Sequence, residues 1–208
     1  MIPMETLATF FTASVLLGLA PGPDNIFVLT QSALRGKIAG LLVTVGLCTG
    51  LVVHTTAVAF GVAVVFKASA LAFTALKLGG AGYLLYLAWQ AFRASAERIS
   101  AGRKNKLRYA TLYRRGIILN VTNPKVSIFF LAFLPQFADP ARGSLTLQML
   151  LLGGVFIVST ILVFGSIALL AGTIGQWLNR SSKTQVIMNR IAGVVFVGLA
   201  LKLVTVKQ

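Results

Sequence analysis

The sequence is short of acid: against 19 Lys and Arg it carries only Glu5, Asp24, Glu97 and Asp139. Charged residues of both signs make up 11% of the 208 positions, and hydrophobic residues 57%. Soluble domains carry about 25% charged residues, so this chain lacks the charge to cover a water-soluble globule of its length. It has one cysteine, Cys48, inside an apolar run, which excludes an intramolecular disulfide and a cysteine metal cluster. It has one histidine, His54, and no H-E-x-x-H, Walker A or dinucleotide fingerprint. No catalytic set is visible, so neither an enzyme nor a resident cofactor or metal is expected. A net charge of +15 in a soluble protein points to nucleic acid. Here the bases lie between long apolar runs, where they report membrane topology instead.

What the chain has in quantity is those runs, at about 7–34, 40–66, 70–92, 116–137, 145–171 and 187–206. One membrane span takes roughly 20 apolar residues. The sequence therefore predicts an all-α integral membrane protein of about six transmembrane helices, one domain over residues 1–208 embedded in a lipid bilayer. A β-barrel would show alternating segments of roughly ten residues, and these runs are apolar on every face. The leading segment carries Glu5 and no Lys or Arg, so the first run reads as a retained helix and not as a cleaved signal. With six spans, one side receives Arg35 and Lys37, the loop 93–115 with eight bases, and Arg180, Lys183 and Arg190. The other side receives Lys67, Arg142, Lys202 and Lys207. The excess of positive charge places the first side in the cytoplasm and both termini outside.

Two runs are interrupted. Pro21-Gly22-Pro23 followed by Asp24-Asn25 breaks the first, and Asn123-Pro124-Lys125 breaks the fourth. Proline removes a helical hydrogen bond and keeps the residue before it out of the α region. The sequence thus predicts helices 1 and 4 to be broken, with backbone groups freed for a ligand. Ala81-Gly82 in the third run has a counterpart in Ala192-Gly193 of the sixth. Three spans per half means halves of opposite orientation. Two inverted three-helix repeats are therefore expected, at about 1–92 and 116–208 with the basic loop between them, a plan shared by secondary transporters.

An aspartate inside a membrane is costly and tends to have a task; Asp24 also suits the cap of the helix that follows, and the two roles are compatible. Asn25, Asn120 and Asn123 offer amide donors and acceptors, and Lys125 a cation. A zwitterionic amino acid presents one carboxylate and one ammonium, which an aspartate from one half and a lysine from the other would match. Lys125 has a second reading, snorkelling to the cytoplasmic interface, and Lys77 shares it. His54 suits a proton relay or substrate contact, and equally a buried imidazole on a backbone carbonyl. Gly46 with Gly50, and Gly18 with Gly22, form small-xxx-small pairs that favour close helix packing. Tyr83, Tyr86 and Trp89 are expected in an interfacial aromatic belt.

Several stretches together carry a family likeness. Leu19-Ala20-Pro21-Gly22-Pro23-Asp24-Asn25 with Arg35-Gly36 resembles the N-terminal signature of the LysE/RhtB superfamily of bacterial amino-acid exporters. The stretch Gly79-Gly80-Ala81-Gly82-Tyr83-Leu84-Leu85-Tyr86-Leu87-Ala88 resembles its third-helix motif, with Ala88 where the family commonly has glycine. The stretch from Asn120 to Lys125, with Phe129 to Gln136, resembles the fourth, and Arg190-Ile191-Ala192-Gly193 the last. The resemblance spans nearly the whole chain in order. It implies export of amino acids or close relatives across the bacterial inner membrane, driven by protons, with Pro21, Gly22, Pro23, Asp24, Asn123, Pro124 and Lys125 as the shared core. The rival readings are an exporter of a metal cation or other small ion, for which one intramembrane carboxylate is thin provision, and a non-transporting membrane scaffold, which has no need of paired breaks. A homodimer is compatible with either class.

Overall fold

The structure is a computed structural model that describes residues 2–68, 70–95, 108–180 and 182–205, with side chains except at 62–68, 70, 72–73, 172–180, 182 and 184. The middle of the basic loop, with Arg98, Arg103, Lys104 and Lys106, lies outside the described residues, as does Lys207.

The described regular structure is helical throughout. It comprises α1 (Met4–Leu19), α2 (Pro23–Arg35), α3 (Lys37–Ala68), α4 (Ala70–Arg93), α5 (Tyr109–Val121), α6 (Pro124–Ile128), α7 (Leu145–Arg180) and α8 (Ser182–Thr205), with irregular turns between α6 and α7. Stretches of α3, α7 and α8 are each long and apolar enough to cross a membrane alone. Two more spans arise from bent pairs: α1 with α2 at 63°, and α5 with the Pro124–Phe137 segment at 49°. That makes up to five spans among the described residues. The remaining expected span, the third at about 70–92, coincides with α4, whose first turn contains side chains outside the description.

Both bends fall where the sequence places proline. Ala20, before Pro21, ends α1 in an extended conformation (ψ 121°). Gly22, before Pro23, is extended as well (φ −168°, ψ 176°), and Pro23 then opens α2. Asn123, before Pro124, is extended (ψ 109°), and Pro124 opens α6. Each follows from the clash that bars the residue before proline from the α region, and from the fitness of proline for a first helical turn.

The second broken run is less regular than the sequence suggests. After five α-helical residues it widens into a π-helical turn, Phe129–Phe133, and then tightens into a 3-10 turn, Leu134–Phe137. Pro135 has no N–H to give Leu131 and crowds its carbonyl, so a regular α-helix cannot continue through it. Beyond lies a turn held by Gln148, which donates to the carbonyl of Asp139 at 2.8 Å and accepts from its N–H at 3.0 Å.

Two interior pairings position the breaks. Helix α3 packs against both α5 and α7, and α4 against α8. The α3–α5 crossing depends on glycine from both sides. A Cβ on Gly116 would stand 3.0 Å from the Cα of Gly46, and one on Gly50 would stand 2.7 Å from the Cβ of Asn120. The small-residue pair in α3 therefore sets how closely the second break approaches the centre of the bundle. At the perimeter Val158, Ile161, Leu162 and Leu169 of α7 are each more than half exposed. Such a stripe suits a lipid-facing surface and would be a liability in water.

Candidate functional site

The two breaks meet inside the bundle. Asp24, in the first turn of α2, and Asn123, at the cap of α6, are 3% and 4% exposed. The Asn123 side chain serves both broken spans: its Nδ2 donates to Asp24 Oδ2 at 2.9 Å, and its Oδ1 accepts from the Lys125 backbone N–H at 3.0 Å. One amide thus caps its own helix and ties it to the other broken span. The other Asp24 oxygen, Oδ1, has no hydrogen-bond partner, nor does Oδ1 of the equally buried Asn120.

Lys125 turns into the bundle. It is 7% exposed. Its Nζ reaches the end of α1 and donates to the carbonyls of Ala20 at 3.1 Å and Leu17 at 3.3 Å. Those carbonyls lost their helical partners when Pro21 ended α1, and a cation suits the negative end of a helix. Gly22 permits this approach, since a Cβ there would stand 3.1 Å from Lys125 Nζ. Its φ is one that any residue adopts, so the need is for space. Asn25 fixes the first break from within, its Nδ2 donating to the carbonyl of Gly18 at 2.7 Å.

His54 stands apart from this cluster. Its Nε2 lies 3.3 Å from the carbonyl oxygen of Asn120, near the end of α5, and its ring lies 5.6 Å from that of Phe130. The contact is the backbone-carbonyl one, and it braces the last turn before the second break. Lys77 makes a comparable contact, its Nζ 3.5 Å from the carbonyl of Val204.

A cavity of about 1070 Å³ leads to the breaks. It runs from the Arg93 end of α4 and the first turns of α8 down to Pro21, Gly22, Pro23, Asn25, Asn123, Pro124 and Lys125. Asp24 is absent from its wall. The aspartate instead lines a chamber of about 20 Å³ on the far side, shared with Asn120, Lys125 and Thr160. Lys125 borders both spaces. Beyond the breaks a cluster of aromatic rings fills the interior. Phe129 lies 6.0 Å from Phe10, 4.7 Å from Phe133 and 5.2 Å from Phe156, and Phe137 closes on Phe10 at 5.0 Å. The site is thus reached from one side and sealed on the other.

Sequence reading missed the cavity walls. Gln90, Gln185, Met188 and Asn189 line it, and nothing in their spacing marks them. Tyr83, expected in an aromatic belt, also lines it, while Tyr86 and Trp89 stack beside it at the exposed surface, with ring separations of 5.9 and 6.1 Å.

A bundle of apolar helices, two of them interrupted at its centre and opened there to one side by a polar-floored cavity, is the build of a membrane translocator. The chain belongs to the LysE type translocator family, which it matches over residues 15–207. It is 35% identical over 202 residues to an uncharacterized membrane protein of Vibrio cholerae, covering 97% of each chain. It is 35% identical over 195 residues to the homoserine/homoserine lactone efflux protein of Salmonella typhimurium, covering 90% of each. An uncharacterized membrane protein of Bacillus subtilis is 28% identical over 208 residues, covering 96% of this chain and 98% of its own. No solved structure matches the chain.

Proposed function

We propose that this protein exports amino acids or close derivatives from the cytoplasm in exchange for protons, by alternating access between two inverted three-helix repeats. The observation that carries the reading is the cavity that ends at both helix breaks, with Lys125, Asn123 and Asn25 in its wall and Asp24 buried behind them. Membership of a translocator family and the likeness to an efflux protein for homoserine and its lactone support it.

The division of labour follows from the contacts. Lys125 receives the substrate carboxylate, and Asn25 and Asn123 orient the rest. Asp24 carries the exchanged proton: as a carboxylate it accepts the Asn123 N–H, and as an acid it presents a donor that this amide N–H does not need. Protonation therefore alters the bond that ties the two broken spans together. The phenylalanine cluster acts as the outer gate, and its π-helical turn is the irregular element able to shift. The inverted-repeat reading is supported by the pairings: α3 packs on α7 and α4 on α8, while the α3–α5 contact has its counterpart in α7–α1. The position of the cavity mouth at the Arg93 end of α4, where the basic stretch begins, supports a cytoplasmic mouth with both termini outside the inner membrane.

A metal-cation exporter fits the site less well. Among the described residues no three His, Cys, Asp or Glu side chains gather, and the cavity floor is a cation. A scaffold has no use for a cavity that ends on two unwound helices. The test is Asp24→Asn reconstituted into proteoliposomes. It should remain folded yet lose efflux driven by a pH gradient, and full proton-driven transport by that variant would remove Asp24 from the mechanism.

A further inference from the structure

The charge of the cavity is one-sided. Among the described residues its wall holds Lys125 at the floor and Arg93 at the mouth, and no aspartate or glutamate. Asp24 is close in sequence but faces the other chamber. No carboxylate answers Lys125 directly, for Asp24 and Lys125 form no ion pair within 4.0 Å. The lysine spends two hydrogen bonds on carbonyls, and an ammonium has three to give. A buried cation with a spare donor, and with Asp24 beyond ion-pair distance, suits an anionic group. Most of the remaining wall is apolar, with Ile26, Leu29, Leu87, Met188 and Phe196 beside Thr30, Tyr83 and Gln90. Among the wall's buried side-chain acceptors Asn25 Oδ1 has no partner, and it is neutral and single, enough for an α-ammonium and not for a second cation.

Resting on the exporter reading, we propose that the substrates are neutral amino acids with apolar side chains, held with the carboxylate on Lys125, the α-ammonium toward Asn25 Oδ1 and the side chain against Leu29, Leu87 and Met188. Lysine and arginine are excluded because their second positive charge would enter a cavity whose described wall carries only positive charge. Like charges brought together across a water-poor interface are strongly disfavoured, enough for at least about a tenfold difference in rate.

The test uses the full chain in proteoliposomes loaded with radiolabelled leucine or lysine at equal concentration. Leucine should leave at least about ten times faster than lysine. Gln90→Glu, nearly isosteric on the cavity wall, should raise lysine efflux and narrow that ratio. Leu87→Glu, with Leu87→Gln as its uncharged control, should do the same from a second position. Lysine leaving as fast as leucine from the wild-type chain overturns the inference and leaves the exporter reading standing. So does an unchanged ratio in both Glu variants while they still move leucine. If the folded wild-type chain moves no amino acid, both readings fall together.

Discussion

Replacing Asn123 by alanine removes two contacts at once, and their sizes can be worked separately. Loss of the helix cap that Asn123 Oδ1 gives the Lys125 N–H costs about 1 kcal/mol. Loss of the 2.9 Å bond to Asp24 costs about 0.5–1.5 kcal/mol if the acid is neutral and about 1.5–3 if it is ionised. The sum is roughly 1.5–4 kcal/mol. Water cannot make good the loss, since both side chains are almost wholly buried. Asn123→Ser keeps an oxygen suited to capping and loses only the link to Asp24, so it should recover about 1 kcal/mol of the alanine cost. The assay is reversible unfolding in mixed micelles, run as a double-mutant cycle with Asp24→Ala. A coupling of at least about 1 kcal/mol between the two positions is expected, within the range known for contacting residues. Coupling indistinguishable from zero, with Asn123→Ala as stable as wild type, would refute the claim that this bond joins the broken spans.

Gly46→Val should weaken the α3–α5 crossing by about 1–3 kcal/mol through overpacking, because the new side chain meets the Gly116 backbone; thermal melting in detergent reads this, and an unchanged melting temperature contradicts the close approach. His54→Gln should retain export, since an amide can still donate to the Asn120 carbonyl; loss of proton coupling in that variant would make His54 part of the proton path instead. In a Cys48→Ala background, cysteine placed at Thr30, in the cavity wall, should react with a membrane-impermeant thiol reagent from the cytoplasmic side and be protected by substrate. Cysteine at Ile161, on the lipid-facing surface, should not react, and equal labelling at the two positions would argue against the cavity.

Much of the site was visible in one dimension because proline acts locally. Pro21, Pro23 and Pro124 dictate the conformation of the residues before them, so both breaks stand where the sequence marks them. The π turn at Phe129–Phe133 was less legible, because its cause, Pro135, lies at the end of an apolar run where a helix stop was already expected. The cavity wall was not legible at all: Gln90 and Gln185 lie on helices far apart in sequence, and only the packing of α4 against α8 makes them neighbours.

Composition and spacing alone determined that this chain lives in a bilayer, that its structure is helical, and that two of its helices are interrupted beside an aspartate and a lysine. These are properties of local sterics and of solvation, which need no partner residue. Only the tertiary structure decided that Lys125 turns inward to the carbonyls of α1, that Asn123 joins it to Asp24, and that His54 serves a backbone oxygen. Each of those outcomes depends on which distant group lies within about 3 Å, and that is a matter of how the helices pack, as where Gly46 and Gly116 let α3 and α5 approach closely.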